Sequence, residues 1–134
     1  MKVIKSDLEA ARQLEDEVLA EVAASGYDEA ATFAIKLALE EGLNNAIRHG
    51  NGFDRNKTVR LEYDINPRRV IITVTDEGGG FSPGGVPDCL ADENLDKPSG
   101  RGIMLMQAYM DEVHYNAAGN QVYMVKHNTA EARP

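Results

Sequence analysis

One cysteine, no tryptophan and no long apolar run define what this chain of 134 residues is not. Cys89 alone cannot close an internal disulfide, which fits a reducing compartment. With no histidine near it in sequence, it reads as an incidental loop thiol. No stretch approaches the roughly 20 apolar residues needed to cross a bilayer. The opening Met1-Lys2-Val3-Ile4-Lys5-Ser6-Asp7 lacks the apolar core of a secretion signal, so a cytoplasmic location is expected. Positive charge is scarce: 14 Lys and Arg against 22 Asp and Glu give a formal net charge of −8. Gripping nucleic acid through its phosphates, or an anionic membrane surface, requires clustered Lys and Arg, and no basic stripe stands out. Also missing are a P-loop and a Gly-x-Gly-x-x-Gly after a strand, the two commonest phosphate cradles. An acidic chain can still bind a polyphosphate if backbone N–H groups and a divalent cation supply the positive field.

The length suits a single domain over residues 1–134, and its pattern is helix, helix, hairpin, loop, helix, hairpin. Lys2 to Lys5 alternates as a short edge strand. Ser6 or Asp7 caps a helix whose stripe is Leu8, Ala11, Leu14, Val18, Leu19 and Val22, ending at Ser25-Gly26. Its charges (Glu15, Asp16, Glu17, Glu21) are expected to form a solvated face. Asp28 caps a second helix, with Ile35, Leu39, Leu43, Ala46 and Ile47 on its apolar side, stopped by Gly50-Asn51-Gly52. Thr58 to Ile65 alternates, and Val70 to Thr75 is a β-branched run more central in the sheet. Residues 82–99 show no periodicity and hold several prolines and glycines, as a functional loop would. Gly100-Arg101-Gly102 opens a third helical pattern, and Val113-His114-Tyr115 with Gln121 to His127 reads as a last hairpin turned at Ala117 to Asn120. The tail from Asn128 is expected to fray. This order predicts an α+β fold: a two-layer sandwich with about three helices on one face of a mostly antiparallel, mixed sheet.

Three clusters carry chemical interest. Glu41, Asn45 and His49 are spaced four apart, so they form one stripe bordering the apolar face of the second helix. Asp76 ends a central strand and is followed by Gly78 and Gly80, where glycine lets a flat ligand approach the backbone. A carboxylate there can accept from an exocyclic amine such as that of adenine. Gly100 and Gly102 open a helix, whose free N–H groups form an anion site, and Arg101 is placed to reach a terminal phosphate. Each cluster alone is more often an ordinary turn or helix border.

Taken together, Glu41-x3-Asn45-Ala46-x2-His49-Gly50, Asp76-x-Gly78-x-Gly80 and Gly100-x-Gly102 resemble the N, G1 and G2 boxes of the Bergerat-fold (GHKL) ATPases. The small size and the phrase Gly102-Ile103-Met104-Leu105-Met106 … Met110-Asp111-Glu112-Val113 are similar to bacterial anti-sigma-factor serine kinases of the partner-switching type. The resemblance covers the chain from about Ala30 to Lys126. It implies an ATP/ADP-binding serine/threonine kinase with Glu41 as general base and Asn45 as ligand of Mg²⁺. It further implies that Asp76 reads the adenine, Gly78 and Gly80 shape the base pocket, and Gly100, Arg101 and Gly102 hold phosphates, under a lid at 82–99. The implied partners are an anti-anti-sigma antagonist, which is the phosphoacceptor, and a sigma factor; a homodimer through the free sheet side is compatible with the family. Two departures are visible. Gly119 is followed by Asn120 and Gln121 where relatives usually have threonine, and the lid carries Asp88, Asp92, Glu93 and Asp96 against Lys97. These leave a second reading, a non-catalytic switch whose nucleotide sets the shape of a partner surface. A third, a detached histidine-kinase catalytic domain, fits the short lid less well.

Overall fold

The computed structural model describes residues 1–78 and 100–128. Five strands, β1 (Lys2–Lys5), β2 (Thr58–Ile65), β3 (Arg69–Asp76), β4 (Glu112–Tyr115) and β5 (Gln121–His127), form a sheet in the order β1-β2-β3-β5-β4. All four pairings are antiparallel. Three helices, α1 (Leu8–Ala24), α2 (Glu29–Asn45) and α3 (Gly100–Tyr109), supply the second layer. Residues 79–99, which include Gly80, Cys89 and the expected lid, and residues 129–134 lie outside the described set.

Local chemistry sets the boundaries. Asp7 starts α1 by accepting from the Glu9 N–H at 3.0 Å, and Asp28 starts α2 by accepting from the Ala31 N–H at 2.8 Å. Gly26 ends the first helical run with φ +94°, a value that favours glycine. α2 instead widens into a π-helical turn, Ala46–Gly50, closed by the Asn51 N–H on the Ala46 carbonyl at 2.8 Å. That widening was not legible from the apolar spacing.

Strand alternation sends Val59 and Leu61, Val70, Ile72 and Val74, and Val122 and Met124 into the core. There they meet Ile35, Leu39, Leu43 and Ile47 from α2, Leu14, Val18 and Val22 from α1, and Met106 and Met110 from α3. Each such side chain contributes about 1.5–3 kcal/mol when fully buried, so the two layers are held mainly by this contact. Gly42 brings α2 close to the sheet: a Cβ there would lie 3.3 Å from the end of Met124 and 3.5 Å from Val74. One expectation fails. Glu15 is not on the solvated face of α1 but in its buried stripe, 6% exposed. Position 15 follows Ala11 by four residues and precedes Val18 by three, so helical geometry places it over α2 whatever its charge.

Candidate functional site

The C-terminal half of α2, its π-turn, the end of β3 and the β4–β5 hairpin converge on one cleft. Its lining includes Asn45, His49, Gly50, Asp76, Tyr115 and Asn120. The stripe read along α2 thus brings Asn45 and His49 to the same cavity as the strand-end Asp76. Glu41, half-buried one turn earlier, does not line that cavity, although its charge is felt at Tyr115. The cleft is open to solvent, with about 30 Å³ of space for water-sized groups between these walls.

Backbone contact at this point is close enough to demand glycine. A Cβ on Gly50 would collide with the Asp76 carboxylate, and one on Gly78 would run into the backbone carbonyl of Gly50. Asp76 is therefore packed directly against the π-turn. Its Oδ1 accepts from the Gly78 N–H at 2.8 Å, its own N–H donates to the Asn120 carbonyl at 2.9 Å, and its carbonyl accepts from Asn120 Nδ2 at 3.2 Å. Burial raises the Asp76 pKa above the ordinary carboxylate value, while the Gly78 N–H and the Lys57 charge act the other way.

Two asparagines outside the recognised boxes build this geometry. Asn51, 3% exposed, donates through Nδ2 to Ser6 Oγ and to the Thr58 carbonyl, both at 2.9 Å. Its Oδ1 accepts from the Glu77 N–H at 2.8 Å, so one side chain ties the ends of β1, β2 and β3 together beside Asp76. Glu77 is pinned further by the Thr58 N–H and hydroxyl, which lower its pKa. Asn116 shapes the last turn: its Oδ1 accepts from the N–H groups of Gly119 at 2.8 Å and Asn120 at 3.1 Å. Its Nδ2 donates to Asn120 Oδ1 at 2.8 Å, which aims Asn120 at Asp76. Gln121, the other departure from the family pattern, donates to Thr75 Oγ1 at 3.0 Å.

Tyr115 is the third residue the sequence did not flag. Burial, followed by the charges of Asp76 and Glu41, pushes its phenol up to about 12, so it stays neutral at physiological pH. Gly78 sits at the rim through its N–H on Asp76, and Gly100, Arg101 and Gly102 form the first turn of α3.

Asn45 bears on whether a metal–phosphate group suits the cleft. Its Nδ2 is buried and finds no hydrogen-bond partner among the described residues, so the carboxamide is not fully spent on the protein's own framework. A single carboxamide oxygen suits Mg²⁺, which keeps waters and phosphate oxygens in its shell instead of an all-protein cage. The residues present fit such a group.

A helix-borne Asn and a strand-end Asp meeting across glycine, in a two-layer α+β sandwich, define the ATPase class that the three boxes resemble. The chain belongs to the histidine kinase-like ATPase domain family, whose profile matches residues 4–126. Among curated proteins it is 30% identical over 110 residues to the serine-protein kinase RsbW of Bacillus subtilis (strain 168), covering 72% of this chain and 65% of that one. It is 34% identical over 100 residues to the anti-sigma F factor of Geobacillus thermodenitrificans (strain NG80-2), covering 69% of this chain and 67% of the relative. The chain thus spans about two-thirds of the length of these relatives. Among solved structures, the RsbU and RsbW domains of a Mycobacterium tuberculosis protein superpose with TM-score 0.58 at 16% identity, over 96% of this chain and 32% of that one. The mycobacterial sensor histidine kinase MprB gives TM-score 0.52 at 15% identity, over 94% and 96%. At those identities the superpositions bear on the fold alone.

Proposed function

We propose that this chain is an ATP-dependent serine/threonine protein kinase of a bacterial partner-switching system. It phosphorylates an anti-anti-sigma-type antagonist, binds and inhibits a sigma factor, and works in the cytoplasm. The observation that carries the reading is the meeting of Asn45, with its unspent carboxamide, and Asp76 in one cleft. The names of the curated relatives, a serine-protein kinase and an anti-sigma F factor, support it.

In this reading Asp76, held by its close packing on Gly50 and Gly78, accepts from the adenine amine, and Gly78 and Gly80 shape the base pocket. Asn45 holds Mg²⁺, which when bound neutralises the phosphates and fixes their direction. Gly100 and Gly102 offer N–H groups at the start of α3 to the phosphates, with Arg101 beside them. Glu41 takes the proton from the attacking hydroxyl of the antagonist. Phosphoryl transfer asks chiefly for positioning and charge neutralisation, so few protein groups are needed. Pairing of two copies through the sheet face that carries Arg60, Glu62 and Tyr123 belongs to the same reading.

Incubation with labelled ATP and candidate antagonists tests it: label on a serine or threonine is expected, and no transfer to any hydroxyl removes the enzyme claim. One observation favours the second reading, a non-catalytic switch: Glu41 does not line the cleft with Asn45 and Asp76. Glu41→Ala separates the two. If Glu41 is the general base, transfer falls about 10²–10⁴-fold with ATP affinity kept; if the chain only switches partners, their regulation is untouched.

A further inference from the structure

Asp76 is held from two sides, and only one of them lies in the recognised boxes. Its carboxylate rests against Gly50 and takes the Gly78 N–H. Its backbone, on the edge facing β5, is held at both peptide groups by one residue of the last hairpin. The Asp76 N–H donates to the Asn120 carbonyl at 2.9 Å, and the Asp76 carbonyl accepts from Asn120 Nδ2 at 3.2 Å. The β3–β5 ladder pairs Thr75 with Gln121 as its last rung, so Asn120 extends that pairing by one residue with a side chain.

A carboxamide can present either end, and Asn116 decides which end Asn120 turns toward Asp76. Asn116 Nδ2 donates to Asn120 Oδ1 at 2.8 Å, which draws that oxygen toward position 116 and directs Asn120 Nδ2 at the Asp76 carbonyl. With the carboxamide reversed, its oxygen would face that carbonyl and two acceptors would oppose each other. Asn116 Oδ1 meanwhile accepts from the N–H groups of Gly119, Asn120 and Gln121 at 2.8, 3.1 and 3.3 Å. The two ends of Asn116 therefore have separate effects: its oxygen builds the turn, and its nitrogen orients Asn120.

We propose that Asn116 is a positioning residue for base recognition. Acting through Asn120, its carboxamide nitrogen sets where the Asp76 carboxylate meets an exocyclic amine, so the preference of the cleft for an amine-bearing base depends on it. The inference rests on the proposed function in one respect, that Asp76 accepts from the adenine amine. A charge-assisted hydrogen bond weakens steeply when misaligned, so a displaced Asp76 backbone costs the amine contact first. The phosphate contacts, borne by α2 and α3 in the same reading, are affected less.

Asn116→Asp separates the two effects. The new carboxylate keeps an acceptor for the three turn N–H groups but has no donor for Asn120 Oδ1, so Asn120 turns its Nδ2 to position 116 and its oxygen to the Asp76 carbonyl. Calorimetric titration of the full chain with the Mg²⁺ complexes of ATP and of purine riboside triphosphate, which lacks the exocyclic amine, reads the result as a ratio of affinities. The added charge acts on both triphosphates alike and cancels in that ratio. The native chain is expected to favour ATP by about 10- to 150-fold. Asn116→Asp is expected to lower that preference about tenfold, with an unchanged circular dichroism spectrum. Asn120→Asp, which sets an oxygen against the Asp76 carbonyl directly, should lower it as far, and the double variant no further than either alone. A native ratio in either variant, or losses that add in the double variant, would overturn the proposal and leave Asp76 as the amine reader. A native chain that does not distinguish the two triphosphates would overturn the amine contact itself, and the proposal with it.

Discussion

Replacing Asn51 by alanine removes a buried side chain that serves three segments at once. Two donated bonds, to Ser6 Oγ and the Thr58 carbonyl, and one accepted bond, from the Glu77 N–H, are lost together. Ser6 Oγ keeps its own bond to the Lys57 carbonyl at 3.0 Å, so only the Thr58 carbonyl and the Glu77 N–H are left short. An intramolecular hydrogen bond contributes about 1 kcal/mol net, and an orphaned buried group costs about 1–3 kcal/mol, so a loss of about 2–4 kcal/mol is expected. With an unfolding entropy of about 2.1 cal/mol/K per residue, that lowers Tm by roughly 7–14 °C. The effect should also reach function, because Asn51 fixes the Glu77 backbone next to Asp76: ATP affinity falls even at temperatures where the variant is folded. Asn51→Asp is the informative partner, since it keeps the acceptor for Glu77 but has no donor for the Thr58 carbonyl. Urea unfolding at constant m-value reads the stability, and calorimetry reads the affinity. A loss below about 0.5 kcal/mol for Asn51→Ala, the ordinary range for a surface change, would refute the account of this residue as the tie between β1, β2 and β3.

Other perturbations separate the parts of the site. Gly78→Ala should abolish ATP binding and destabilise the chain by more than Gly42→Ala, because its Cβ meets the backbone of Gly50 while the one at Gly42 meets the movable end of Met124; paired melting curves decide it. The Glu15 pKa lies near 7 in the folded chain against an ordinary 4.5, so the folded state holds the proton more tightly and ionisation opposes folding. The contribution of Glu15 to stability should therefore be full below pH 4.5 and be lost as the pH rises toward 7, and Glu15→Gln should remove that part of the profile. Asn120→Ala should weaken nucleotide binding by releasing the Asp76 backbone, with less effect on Tm than Asn51→Ala, as thermal shift with and without ATP would report.

The sequence made the frame legible where physics leaves a period or a fixed motif. The stripe from Ile35 to Ile47, the caps Asp7 and Asp28, and the alternation of β2 all appear in the structure as read. The placing of Asn45 near Asp76 followed from three motifs in order, since the spacing of either cluster alone is common. What escaped reading acts across long sequence distances. Asn51 bonds to Ser6 and Glu77, 45 and 26 residues away, and Asn120 to Asp76, 44 away; such contacts leave no periodicity. Tyr115 lies on an alternating strand whose inward side was readable, but nothing local ties it to Asp76. Glu15 escaped for a different reason: its charge outweighed its helical position, although that position alone puts it against α2.

The decisive measurement is calorimetric titration of ATP into the native chain and into Asp76→Asn, with Mg²⁺ and with the metal chelated. Saturable binding strengthened by Mg²⁺ is expected for the native chain. The variant, with its charged acceptor gone, should bind about 10- to 150-fold more weakly, the equivalent of about 1.5–3 kcal/mol, while keeping its circular dichroism spectrum. No binding to the native chain, or the same affinity in both, would contradict the single cleft for base and phosphates on which the account stands.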